Sequence, residues 1–390
     1  MSGGSRGDTL RILVSGRIAS TPGQGGATWA VLQYLIGLRE LGHQVWFVEA
    51  IPASRLCPAG IDLACSTNAV YAARVLSEFD FDGRWALMVE DTTTTVGCEY
   101  SLLASTRWDV HVNLSGCLDE PGLTGRIPVR IYVDVDPAFT QLWHEVDGHD
   151  LGLAGHTHFT TVGLGIGTPT CPVPTGAHTW QHTLPPVVLS QWTEGAAITR
   201  PAMTTVANWR SYGSVEWNDV TYGQRAHSFR AFFDLPRATT MRLAPALAID
   251  PAETGDLAAL DRAGWELVDP TAVAGTPRAY RDFVRSSRGE FSIAKSGYTV
   301  SRSGWFSDRS ACYLASGRPV VTQDTGFDTR LPTGEGLMVF STPAEAVEAL
   351  DRVDADYPRH AAAARRIAVD ELDSAMVLSD LLRTAGVGHG

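Results

Sequence analysis

The chain lacks any apolar run approaching the ~20 residues that a membrane-spanning helix requires. Its first residues, MSGGSRGDT, do not have the basic-then-apolar layout of a secretory signal. The six cysteines (Cys57, Cys65, Cys98, Cys117, Cys171 and Cys312) contain no CxxC pair and no zinc-type spacing. They read as scattered reduced thiols, neither a disulfide framework nor a metal knuckle. Basic excess is missing too. The formal net charge is −12, which opposes a nucleic-acid or anionic-membrane partner because no surplus of cations exists to neutralise phosphates. No internal repeat or low-complexity tract stands out. What these absences leave is a soluble, cytoplasmic, globular protein. Its 390 residues exceed what one hydrophobic core usually organises, so two domains are expected.

The first half shows alternating strands and helices. Leu10–Val14 is a short apolar strand, Ser15–Thr28 a long loop, and Trp29–Leu41 has helical spacing of Val31, Leu32, Leu35, Leu38 and Leu41. Gly42 stops the helix and Gln44–Val48 is the next strand, ending at Glu49. This is a βαβ unit in the making. Gly23, Gly25 and Gly26 supply part of a GxGxxG pattern, but Thr28 stands where the third glycine belongs and the glycines lie well beyond the strand. A nicotinamide site is therefore disfavoured, and Gly25 and Gly26 are expected in a glycine-rich loop facing an interdomain cleft. Further strands are expected at Ala86–Glu90, Val110–Leu114, Val129–Val133 and His158–Val162, with a last extended piece at Val187–Leu189 and a helix at Ala69–Glu78. The outline is a parallel α/β sheet.

Polar groups close several of these strands. Asn113 and Ser115 end one, and Asp134 and Asp136 end the next. Ligands of open α/β sheets sit beyond such ends, although two aspartates before Pro137 also suit a plain turn. Histidines gather at His144, His149, His156, His158, His178 and His182. His156 and His158 could share a face as metal ligands do, but no carboxylate or cysteine stands at ligand spacing, so no metal is expected. A single histidine acting as general base is the more credible use. Gly163–Pro186, rich in Gly, Pro and Thr, reads as a long loop that could wall an acceptor site.

Gln191–Met203 is the expected linker. A second α/β series follows it, with strands at Thr204–Ala207, Thr240–Leu243 and Glu266–Val268 and helices at Thr254–Ala263 and Pro277–Ser286. Arg288–Asp324 is its centre: a strand at Glu290–Lys295, a glycine- and serine-rich turn, a helix at Ser307–Ser316 with Ser307 as its cap, a Gly317 stop, and a strand at Pro319–Thr322. A helix N-terminus aimed at a glycine turn suits a phosphate-bearing ligand. The tail from Pro343 to Ala385 is helical, and its final helix is expected to return to the first domain.

The run Ala315-Ser316-Gly317-Arg318-Pro319-Val320-Val321 is similar to the A-x-G-x-P-V-V segment after the donor-binding helix of GT-B glycosyltransferases, and Ser303-Gly304-Trp305 resembles their diphosphate-facing glycine turn. With the glycine loop near the start, the chain resembles a bacterial natural-product member of that superfamily. The resemblance implies two Rossmann-like domains facing a cleft: residues 1–195 for the acceptor, 196–370 for the nucleotide sugar, and 371–390 as a helix packing back on the first. It implies metal-independent, hexosyltransferase-type transfer from a nucleotide-diphosphate sugar, used as substrate with no further cofactor, to a small-molecule acceptor. The donor would meet Gly25, Gly26, Asn208, Arg210, Lys295, Ser303, Gly304, Trp305, Ser307, Asp308, Arg309, Asp324 and Thr325. His144, Asp134 and Asp136 are the candidate bases. Plainer roles stand beside these: a surface ion pair for Arg210 and Lys295, a helix cap for Asp308, packing for Trp305. Two alternatives stand: a nucleotide-sugar epimerase, which has the same two-domain architecture, and an inactive GT-B-like auxiliary protein, because Gly304 and Cys312 stand where the family carries its paired glutamates.

Overall fold

A computed structural model describes residues 9–387; residues 1–8 of the polar leader lie outside the described residues. The chain forms two compact units, each discontinuous in sequence. The first holds the described residues up to Val135, Asp150–Thr160 and those from Ser374 onward, and the second holds Asp136–His149 and Thr161–Asp373.

The first unit is built on strands β1 (Arg11–Ser15), β2 (Gln44–Ile51), β3 (Trp85–Val89), β4 (Thr95–Gly97), β5 (Val110–Leu114), β6 (Val129–Asp134) and β7 (His158–Thr161), in the spatial order β4-β3-β2-β1-β5-β6-β7. β1 pairs in parallel with β2 and β5, β2 with β3, and β5 with β6. Parallel strands need both faces covered, and Ile12, Leu13, Val14, Val110 and Val112 are accordingly sealed from solvent. β4 is the exception within this parallel outline. It runs antiparallel along β3 at the edge, and its three residues are too few to carry a hydrophobic pattern.

The first helix spans Gly25–Glu40 and stops at Gly42, whose φ of +90° is the left-handed conformation a helix stop needs. Gly25 and Gly26 are thus its first turn, not part of a loop. The loop before it is held by Glu49 of β2, a buried carboxylate that accepts from the backbone N–H groups of Ile18, Ala19 and Ser20 at 2.7–2.8 Å and from the Ser20 hydroxyl at 2.6 Å. The final helix, Ser374–Thr384, packs on the first, burying Val377, Leu378, Leu381 and Leu382. Gly37 makes that approach possible, since a Cβ there would stand 2.6 Å from Leu378.

The second unit contains β8 (Trp180–His182), β9 (Arg200–Thr204), β10 (Val206–Asn208), β11 (Val215–Trp217), β12 (Val220–Tyr222), β13 (Ala246–Ala248), β14 (Ser287–Ser292), β15 (Val320–Gln323) and β16 (Leu337–Phe340). Four of these form a parallel sheet in the order β16-β15-β14-β9. The linker expected at Gln191–Met203 is therefore partly strand. Pro201 is tolerated because β9 is irregular there, its register against β14 shifting between Arg200 and Met203. Strands expected at Thr240–Leu243 and Glu266–Val268 shrink to single bridges, Leu243 with Met203 of β9 and Val268 with Ala246 of β13. Pro245 accepts from Val268 N–H at 3.0 Å but has no N–H to return, so the ladder cannot extend. The helices Thr254–Ala263 and Pro277–Ser286 form as the pattern predicts.

Asp136–His149 joins this unit through its helix, Phe139–Glu145, because Phe139 and Trp143 pack edge-on against Tyr212 at 4.9 and 4.5 Å. A single boundary at residue 195 does not describe such a division. The core of the unit is aromatic, with Phe291 stacked on Phe340 at 5.2 Å and Phe229 against Trp265 at 4.8 Å.

Candidate functional site

Past β14, the expected glycine turn is replaced by a short helix, Ser296–Ser301, with Lys295 at its N-cap position. Arg302 closes this helix at φ +48°, and Ser303 N–H returns to the Tyr298 carbonyl at 3.2 Å. Lys295 and Tyr298, three residues apart, project together. A hairpin, β11–β12, turns at Asn218 and Asp219, both with positive φ. Gln224 locks its base by accepting from Ser211 N–H at 3.1 Å and donating to the Gly213 carbonyl at 3.1 Å. The hairpin base meets the short helix through Gly297 N–H to the Gly223 carbonyl at 2.9 Å. Tyr212, Lys295 and Tyr298 are thereby brought to one place.

Asp136 completes the group. Its carboxylate lies 3.3 Å from Lys295 Nζ, accepts from the Tyr212 hydroxyl at 2.6 Å, and accepts from Tyr298 as well. Lys295 also donates to the Tyr212 oxygen, and its Nζ lies 4.1 Å from the Tyr212 ring centre and 5.2 Å from that of Tyr298. Trp305 stacks on Tyr298 at 4.4 Å. Burial pushes the Lys295 amine below its ordinary pKa, Asp136 opposes this, and the charge of Arg225 adds to the fall. Both tyrosines are held well above the phenol range, by burial first and then by Asp136.

Arg225 lies near this group, at the first position of the helix Arg225–Phe229. It is 5% exposed, donates through Nε to the Asn208 carbonyl at 3.2 Å, and its buried Nη1 has no partner. Burial, then the charge of Arg309, lower its pKa to about 9. A buried cation with an unpartnered donor is one that a neighbouring anion would stabilise. Sequence reasoning missed Arg225, Tyr212 and Tyr298. Lys295 is the only lysine in the chain, which is the sequence signal that marks this place. The Asn-Asp turn flanked by β-formers was another.

The other expected donor residues are placed differently. Arg309 turns inward to a buried ion pair with Glu290 of β14, and its two remaining nitrogens donate to the Val206 carbonyl at 2.9 Å and to Ser292 Oγ at 2.7 Å. All three nitrogens are engaged within the domain. Gly304 gives its N–H to the Thr325 carbonyl at 2.7 Å and lies against the Gly165 backbone, so that N–H is not free for a diphosphate. The Thr325 hydroxyl returns to the Trp305 carbonyl at 2.6 Å. Asp324 accepts from Gly326 N–H at 2.7 Å and from Arg302 at 3.3 Å. Ser307 caps the helix Asp308–Ala315, accepting from Arg309 N–H at 3.2 Å. Burial raises the carboxyl of Asp308 in the first turn against the pull of Arg309. Ser303 is wholly buried with an unpartnered hydroxyl. Arg210 makes a half-exposed ion pair with Glu253, and the side chain of Asn208 faces solvent. Gly25 and Gly26 belong to the first unit, as does Asp134, which is wholly buried at the end of β6. His144 is apart from the Asp136 group, 3.3 Å from the His149 carbonyl and beside the His178 ring.

Among the described residues, no group of three or more His, Cys, Asp or Glu is placed to hold a metal ion, and no helix is long and apolar enough to cross a membrane. No protein-family profile and no curated protein matches the chain. Solved structures do. AviGT4, a glycosyltransferase involved in avilamycin A biosynthesis, is 15% identical with 97% of each chain covered and a TM-score of 0.55. HepE of Anabaena in complex with UDP-glucose is 10% identical over 97% of this chain and 99% of its own, with a TM-score of 0.57. An α-glucosyltransferase in complex with UDP and a 13-mer DNA is 12% identical over the same shares, with a TM-score of 0.54. At such identities what is shared is the fold, and in fold this chain, with its two α/β units and its returning C-terminal helix, has the GT-B architecture of those glycosyltransferases.

Proposed function

We propose that the protein is a glycosyltransferase moving a hexosyl group from a nucleotide-diphosphate sugar to a small natural-product acceptor. The observation carrying this reading is the pair of buried cations in the second unit, Lys295 and Arg225, one of them with an unpartnered donor. In such a transfer the bond from the anomeric carbon to the diphosphate oxygen breaks and its electron pair leaves with the diphosphate. A bond to the acceptor hydroxyl forms, and the hydroxyl proton is released. Stabilising the departing charge is the main demand on the protein. Lys295 and Arg225 meet that demand in the role a metal ion would otherwise fill, so the transfer is metal-independent on this reading. Both have depressed pKa values because burial costs them solvation, and a bound dianion would offset that cost.

Asp136 then serves as the group that orients Lys295, since its carboxylate is taken up by one ammonium and two phenols. Of the three candidate bases His144 has the most open side chain, 37% exposed, and is the acceptor-side base on this reading. The solved structures with this fold support donor chemistry, one being a UDP-glucose complex, and the avilamycin enzyme supports a natural-product acceptor. One structure with this fold is a complex with DNA; the net charge of −12 favours a small acceptor here. The scattered thiols suit the cytoplasm.

Because Lys295 is the only lysine, an amine-directed reagent reports on it alone besides the chain terminus. One nucleoside diphosphate from a panel is expected to raise the melting temperature and to protect Lys295 from modification, and Arg225→Met to abolish both effects. If no nucleoside diphosphate does either, the donor site is not here.

A further inference from the structure

A second polar site lies wholly in the first unit, where β5 and β6 pass beneath the crossover Pro121–Thr124. That crossover has only four helical residues. A cavity of about 110 Å³ there is lined by His111, Leu118, Thr124, Arg130 and His156, with Asp119 exposed among its walls. His111 is 1% exposed.

Hydrogen-bond accounting fixes what this cavity offers. Ser15 Oγ lies 3.0 Å from His111 Nε2. Ser15 is wholly buried, and its hydroxyl has no other hydrogen-bond partner among the described residues; donating to Nε2 is the arrangement that leaves the fewest buried polar groups unpaired. The ring proton of His111 is therefore on Nδ1, and Nδ1 has no partner. His156 is satisfied by contrast. Asn113 Nδ2 donates to the Leu118 carbonyl at 2.9 Å and to His156 Nε2 at 3.2 Å, leaving His156 Nδ1 to donate to the Leu153 carbonyl at 3.2 Å. Arg130 spends Nε on the Gly155 carbonyl and Nη1 on that of Ile127, which leaves Nη2. Burial, with the nearby charges of His156 and Arg130, pushes His111 down to about 3, so it is a neutral donor at neutral pH. Two of the residues lining the cavity thus keep an unpartnered donor, one of them on a cation.

We infer that this cavity binds a small monocarboxylate of a few heavy atoms, its oxygens accepting from His111 Nδ1–H and Arg130 Nη2–H. Walls with spare donors and no spare buried acceptor select an acceptor-only group. A planar carboxylate matches two donors, whereas a tetrahedral phosphate presents more oxygens than they serve. Asp119 further disfavours a doubly charged ligand.

The test is calorimetric and thermal titration of the full chain with acetate and propionate, against inorganic phosphate and acetamide, at fixed ionic strength. Saturable binding of a carboxylate is expected, weakened about tenfold or more by Arg130→Gln and His111→Gln, with the response to nucleoside diphosphates unchanged. Arg130 is half-buried, so its variant keeps the test sharp should the His111 variant fail to fold. Acetamide binding as tightly as acetate, undiminished binding in Arg130→Gln, or a ¹⁵N spectrum placing the His111 proton on Nε2 would each overturn the assignment.

Discussion

Arg309 and Glu290 form an enclosed ion pair, their side chains 10% and 0% exposed, that fastens the helix Asp308–Ala315 to β14. Glu290 also accepts from the Thr205 hydroxyl at 3.1 Å, and its Oε2 has no partner. Burial works against the Arg309 charge, but the Glu290 carboxylate and its hydrogen bond, together with Tyr280 and Asp308, more than offset it and keep Arg309 firmly protonated. Removing one member leaves the other charge uncompensated, at a cost of about 3–5 kcal/mol. Urea denaturation of Arg309→Met is expected to show a loss of that size, partly recovered in Arg309→Met/Glu290→Gln. Full stability with lost nucleotide affinity would instead return Arg309 to the donor site.

His111 predicts an acid limb in the stability curve. Its pKa falls from 6.5 to about 3 on folding. Between those values the unfolded chain binds the proton and the folded one does not, so stability rises with pH and is lost on acidification. One such proton gives a slope of roughly 1.4 kcal/mol per pH unit. His111→Gln should flatten the slope between about pH 6.5 and 3, as read from denaturation midpoints at stepped pH. An unchanged slope would mean that other groups carry it.

Gly37 governs the return of the C-terminal helix. A Cβ there would stand 2.6 Å from Leu378 and 2.9 Å from Ser374. Gly37→Val should destabilise by about 1–3 kcal/mol through overpacking and expose the segment after Asp373 to proteolysis. Gly37→Ala combined with Leu378→Ala should be tolerated better than Gly37→Val, because the nearest opposing atoms belong to a side chain.

Gly304 is a harsher case. Its φ is +71°, and a Cβ would meet the backbone nitrogens of Gly165 and Leu164 at 2.4 and 2.8 Å. Backbone cannot step aside as a side chain can, so Gly304→Ala should cost about 2 kcal/mol or more. Hydrogen exchange should quicken at Gly165, whose N–H donates to the Ser303 carbonyl at 2.8 Å. Unchanged protection there would contradict the locked geometry.

The elements that were legible share one property: their signal is local. Thr254–Ala263 and Pro277–Ser286 carry their own periodicity and stops, and β5 is five residues that are buried throughout. β4, the hairpin β11–β12 and the helix Ser296–Ser301 are three to six residues each, too short for a period to register. The site suffered most. Near the expected diphosphate turn, position along the chain does not set orientation: Arg309 faces inward and Gly304 is sealed by Gly165.

The sequence by itself determined the α/β alternation, the restart of that pattern in the second half, the helix stops at Gly42 and Gly317, and the candidacy of Asp136 and Lys295. Tertiary structure decided that these two meet, 159 residues apart and 3.3 Å between charged atoms, with Tyr212, Tyr298 and Trp305 around them. It also decided that Arg225 lies near them while Arg309 turns inward to Glu290. Periodicity and turn chemistry act over a few residues and are written along the chain. The direction in which a buried charge points depends on which distant partner offsets its desolvation, and only the packed chain settles that.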